Sequence, residues 1–74
     1  MSINWSSREI DVFLVLCETL SFRRTAERVH LSQPAVTGVI ARLEEALGVR
    51  LFDRSTRQVQ LTGPGQVFLA QAQR

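Results

Sequence analysis

A chain of 74 residues, 45% of them hydrophobic, can bury one small core but not two, and it is too short for most enzyme folds and too apolar for a disordered tail. One Cys and one His cannot supply the four ligands of a structural zinc site, a lone Cys builds no disulfide framework and fits a reducing, cytosolic setting, and no apolar run reaches the roughly 18 residues of a membrane span. The net charge is only +2, yet every basic residue is Arg, and residues 21–57 carry a net +3 against −2 for residues 1–20, a central positive charge that hints at an anionic partner.

Met1 to Arg8 lack the basic-then-apolar order of a secretory signal. The first helix opens at Ser6-Ser7-Arg8-Glu9, the spacing of a capping box, with Trp5 and Ile10 placed as a hydrophobic staple. Ile10, Phe13, Leu14 and Cys17 follow as an i, i+3, i+4, i+7 stripe, and Val12, Val15 and Leu16 widen it, so most of this helix is expected to be buried. Cys17 reads as a small core residue. A second helix starts after Ser21 as N-cap. Phe22, Thr25, Ala26 and Val29 form its inner face, and Arg23, Arg24, Glu27 and Arg28 its solvent face. The link Val29-His30-Leu31-Ser32 leads to a third helix, capped by Ser32 and carrying Pro34 in its first turn, where a missing N–H does no harm. Val36, Ile40, Leu43 and Leu47 make its buried stripe with Val39 beside it, and Gly48 stops it. Leu51-Phe52-Asp53 and Val59-Gln60-Leu61 flank the polar turn Arg54-Ser55-Thr56-Arg57 and predict a small two-stranded hairpin. Thr62 caps a fourth helix that has Gly63-Pro64-Gly65 in its first turn and Val67, Phe68, Leu69, Ala70 and Ala72 beyond.

Two short helices joined by a tight turn are the arrangement of a helix-turn-helix. Ala26 is small where the two would cross, and Val36 with Val39 or Ile40 packs the second helix on the first. Gln33, Pro34, Thr37, Gly38 and Ala41 are left on the outer face, and those positions hold no Asp or Glu, as a polyanionic groove requires. A hairpin with Arg54 and Arg57 at its tip completes a winged version. The competing reading is a protein-interaction or dimerisation module without specific DNA readout, which would lack a steep salt dependence in duplex binding. An enzyme is not expected. His30 and Ser32 are near in sequence with no Asp to orient them, no glycine-rich phosphate loop is present, and His30 reads as a turn residue. No cofactor is expected either.

The run Ser21-Phe22, Ala26-Glu27-Arg28 and Leu31-Ser32-Gln33-Pro34-Ala35-Val36 resembles the N-terminal domain of LysR-type transcriptional regulators. So do Ile40, Arg42-Leu43-Glu44-Glu45, Leu47-Gly48-Val49-Arg50-Leu51-Phe52-Asp53-Arg54, and Leu61-Thr62 with Gly65, and together the matching residues run from about 8 to 74. The resemblance implies a mainly α winged helix-turn-helix over residues 5–62, after a tail at 1–4, with the helix-turn-helix at about 22–41 and the recognition helix at about 33–47. Residues 63–74 would begin a linker and dimerisation helix, Met1 would be a natural start and Arg74 an excised end, and the effector-binding domain would lie outside this chain. It implies that Gln33 reads a base edge, Pro34 packs on a thymine methyl, Thr37 keeps a hydroxyl where the family usually has Ser, Arg57 reaches the minor groove and Arg54 faces a neighbouring phosphate. Gly38 stands where Arg or Lys is frequent, and Leu20 where the family often has Gly. The implied partners are double-stranded DNA with an inverted-repeat operator and a second copy of the chain paired through Val67 and Phe68, the full-length protein being a dimer or tetramer. A small-molecule effector would act only through the other domain, and the implied location is the cytoplasm, with the nucleoid.

Overall fold

The computed structural model describes residues 7–55 and 57–73. Helices α1 (Ser7–Thr19), α2 (Phe22–Val29) and α3 (Gln33–Leu47) are followed by strands β1 (Phe52–Asp53) and β2 (Gln60–Leu61) and by helix α4 (Gly63–Ala72). The strands pair antiparallel, Phe52 opposite Leu61 and Asp53 opposite Gln60. The architecture is the expected three helices, two-stranded wing and fourth helix. The capping box at Ser6 and the Trp5 staple lie outside the described residues.

Helix ends form where the side chains predict them. Ser21 Oγ accepts from the Arg24 amide at 3.2 Å, Ser32 Oγ from Ala35 at 3.1 Å and Thr62 Oγ1 from Gly65 at 2.9 Å, each satisfying an amide that the helix leaves open. Both α2 and α3 end in a left-handed residue. His30 (φ 59°) is followed by a Leu31 amide donating to the Ala26 carbonyl at 3.0 Å, and Gly48 (φ 71°) by a Val49 amide donating to Glu44 at 3.3 Å. These six-to-one bonds turn the chain sharply and cover the last carbonyls. His30 is thus a turn residue. Leu20, between α1 and α2, is also left-handed at φ 53°. Only glycine occupies this region without a Cβ penalty, so Leu20 holds a strained backbone.

α1 runs through the centre and packs on α2, α3 and α4. Its core face is Val12, Phe13 and Leu16, whereas Ile10, Leu14 and Cys17 are half-buried. The predicted stripe is therefore rotated by part of a turn. In a run as apolar as Val12 to Cys17 the periodicity cannot choose a face, and the neighbouring helices decide it. Phe13 anchors the core, with Phe52 from β1 at 5.6 Å and Phe68 from α4 edge-on at 4.9 Å between ring centroids. Val36, Val39, Ile40 and Leu43 complete it from α3. Thr25 is fully buried, and its hydroxyl meets that of Thr19 at 2.8 Å, while Thr19 in turn donates to the Ser21 carbonyl at 3.0 Å. A short relay at the α1–α2 corner thus satisfies a polar group that the sequence placed in an apolar stripe.

Candidate nucleic-acid interface

With Val36, Val39, Ile40 and Leu43 turned inward, α3 presents Gln33, Pro34, Thr37 and Ala41 to solvent, with Gly38 half-buried among them. A Cβ built on Gly38 would meet no atom within 4 Å, so the position is open rather than crowded. It borders a shallow groove between α1 and α3 that Arg8, Glu9, Leu31, Pro34 and Arg42 also line. The first half of the outer face is uncharged and small. Glu45, one helical turn beyond Ala41 on the same side, is exposed and ends that neutral stretch.

The arginines divide into two groups. Arg23 pairs with Glu27 at 3.4 Å, Arg28 with Glu18 at 3.0 Å and Arg42 with Glu9 at 3.7 Å, all with largely exposed cations, so each pair contributes little and exchanges readily with another anion. Arg57 is exposed on the wing and makes no ion pair among the described residues. Arg54 differs. Its Nη2 donates to Glu44 Oε1 at 3.4 Å, and its guanidinium lies 4.8 Å from the centroid of the Phe22 ring, at the first residue of α2. The two wing arginines, read as minor-groove and phosphate-facing, have different surroundings.

Glu44 is the residue that pattern reading does not single out. Its side chain is only 10% exposed, and its Oε2 accepts the Leu51 and Phe52 amides at 2.9 and 3.3 Å. Nothing in the local spacing marks a carboxylate that serves amides seven and eight residues ahead. At the turn, Asp53 accepts from the Ser55 hydroxyl at 2.6 Å and the Ser55 amide at 2.9 Å. Those two bonds, helped by Arg50, hold its carboxyl below the usual range and keep it ionised.

Of the two apolar residues expected to pair copies of the chain, Val67 is 60% exposed, whereas Phe68 turns inward onto Phe13. Phe68 is half-buried as part of the core and is not a free outer face.

Residues 7–66 match the profile of the bacterial regulatory helix-turn-helix proteins of the lysR family. The chain is 44% identical over 69 residues to the transcriptional regulator CrgA of Neisseria meningitidis, an alignment that takes in 93% of this chain and 23% of CrgA. The chain thus spans less than a quarter of that relative. Its fold superposes on DarR of Vibrio fischeri, solved in complex with DNA, with a TM-score of 0.89 and 34% identity over 96% of this chain and 24% of DarR. It also superposes on the DNA-binding domain of CbnR, likewise solved with DNA, with a TM-score of 0.87 and 37% identity over 95% of this chain and 80% of that domain.

Proposed function

The chain belongs to the lysR family of bacterial helix-turn-helix transcriptional regulators and is a DNA-binding domain of that family, and from this premise we propose that α3 enters the major groove while the wing meets the adjoining minor groove and backbone. The observation that carries the reading is the open, uncharged face of Gln33, Pro34, Thr37, Gly38 and Ala41 at the start of α3. Gln33 can address a base edge with its amide, Pro34 can lie on a thymine methyl, and Thr37 offers a hydroxyl to either kind of base. Gly38 leaves a gap on the same face and brings the helix backbone nearer the bases. Arg57 and Arg54 supply the wing's share of the site, with Arg57 free to reach into the minor groove.

Residues 5–62 form the winged domain of this reading, and 63–74 open a linker helix that carries a second copy and, in the whole protein, an effector-binding domain. A homodimer would place two α3 helices on two half-sites of an inverted repeat in the cytoplasm, on the nucleoid. Val67 is the large apolar residue that α4 exposes for that pairing among the described residues. Val67→Glu is expected to leave the melting temperature unchanged and to weaken self-association in analytical ultracentrifugation. Unaltered sedimentation would remove Val67 from the contact.

The experiment for DNA readout compares a duplex selected by the chain from a random pool with an unrelated duplex. Gln33→Ala should cost about 1–3 kcal/mol on the selected duplex and little on the other. Equal losses on both would end the base-reading role, and binding without a steep salt dependence would favour a protein-interaction module instead.

A further inference from the structure

The wing cannot orient itself. Two strands of two residues each, Phe52–Asp53 and Gln60–Leu61, are far below the size at which a hairpin holds its own shape in water. Its base is fixed from below: Leu51 and Phe52 are buried in the core, the Thr62 amide donates to the Leu51 carbonyl at 3.0 Å, and the Thr62 hydroxyl donates to Arg50. Past Asp53, Arg54 reaches back to the helix-turn-helix, meeting α3 through Glu44 and α2 through the Phe22 ring.

Glu44 joins these two levels. One oxygen receives the two amides at the start of β1, and the other receives Arg54 at its end. A carboxylate this well buried beside a polyanion would repel it unless neutralised, and here its charge is spent on two N–H dipoles and one guanidinium. Arg54 turns its guanidinium toward Glu44 and the Phe22 ring, whereas Arg57 makes no ion pair among the described residues.

We infer that Glu44 is a positioning residue for DNA binding: through Arg54, clamped between its carboxylate and Phe22, it sets the angle at which the wing and Arg57 meet DNA lying along α3. The inference rests on the DNA-facing wing proposed above and deepens it. Glu44 itself touches no DNA, and Arg54 works through the wing's position rather than as an independent phosphate contact.

Positioning predicts coupling between residues. Affinity for the selected duplex is measured by fluorescence anisotropy for Glu44→Gln, Arg54→Gln, Arg57→Ala and the doubles Glu44→Gln/Arg57→Ala and Arg54→Gln/Arg57→Ala. Glu44→Gln keeps an amide oxygen for Leu51 and Phe52 but loses the charge that holds Arg54. Both single Gln variants are expected to weaken binding about threefold to tenfold, in the range of coupling between residues of one network. Neither should weaken it further once Arg57 is absent, because a mispositioned wing has nothing left to lose. A merely stabilising role would lower the melting temperature and would not depend on residue 57. Arg54→Gln leaves the buried bonds of Glu44 to the backbone intact, so it carries the test if Glu44→Gln unfolds early. Losses that persist undiminished in the Arg57→Ala background would overturn the positioning role while leaving the DNA-facing wing standing. Full affinity in Arg57→Ala alone would take the wing off the DNA and remove both, and Gln33→Ala would still report on the major-groove reading separately.

Discussion

The helix-turn-helix and the wing are held by opposite means. Each end of α2 and α3 is closed within a few residues, by Ser21 on Arg24, Ser32 on Ala35, Leu31 on Ala26 and Val49 on Glu44. The wing is held across longer stretches of chain: Glu44 serves Leu51, Phe52 and Arg54, and Thr62 serves Arg50 and Leu51. Local closure spreads stability over many contacts worth about 1 kcal/mol each. Long-range closure concentrates it in a few atoms, so one side chain can displace the whole element. The difference would suit the DNA reading proposed above, with a locally closed helix at the bases and a separately anchored wing beside it.

The largest expected effect falls on the wing side. Gly65 packs the first turn of α4 against the wing base, and a Cβ there would stand 2.2 Å from the Leu51 carbonyl oxygen and 2.8 Å from Leu61 Cδ1. The first of these is backbone, itself bonded to the Thr62 amide, and cannot move aside cheaply. Gly65→Ala should therefore destabilise the fold by about 3 kcal/mol in urea unfolding, the upper end for forcing a methyl into a packed site. A cost below about 1 kcal/mol would mean that α4 slides freely, and that the wing base is not the tight junction contrasted above. On the helix-turn-helix side a glycine should have the opposite effect. Leu20 holds φ 53° and is 41% exposed, so Leu20→Gly relieves a left-handed penalty of roughly 1–2 kcal/mol and gives back part of it as unfolded-chain entropy and lost packing. A net gain of about 0.5–1 kcal/mol is expected from the same unfolding curves, and a loss would show that Leu20 packs more than its exposure suggests.

The same contrast explains what the sequence could disclose. Ser21, Ser32, Gly48 and Thr62 are local signals, and the boundaries of α2, α3 and α4 follow from them. The outer face of α3 was equally legible, because an inward stripe of Val36, Ile40 and Leu43 fixes what must point away. Glu44 and the inward Arg54 were not, since their bonds cross seven to ten residues and no periodicity encodes them. Nor was the rotation of α1, where six consecutive apolar residues leave the choice of face to tertiary packing. Phe68 misleads for the same reason. Its place in a short apolar run looks like a free stripe, and only the position of Phe13 shows that the ring is already taken.

The smallest effect concerns the helix that supports both regions. Cys17 lies on the half-buried flank of α1, and its thiol is pushed up to about 11, first by burial and then by the neighbouring Glu18 carboxylate. Below its ordinary value near 9 the thiol is neutral in both folded and unfolded chains and has no pH-dependent influence. As pH rises from there, the unfolded chain releases the proton and the folded one retains it, so stability falls through the window from about 9 to about 11 and levels off above it. The chain contains no Lys and no Tyr, the residue types whose ordinary range falls in that interval beside Cys. Thermal melts of the wild type should therefore slope downward across this window, and those of Cys17→Ala should stay flat. Parallel slopes would show that the thiolate is tolerated where it sits and that the flank of α1 is wetter than its packing implies. A flat line for Cys17→Ala would instead place the alkaline weakness in α1, apart from both the locally closed helices and the remotely anchored wing.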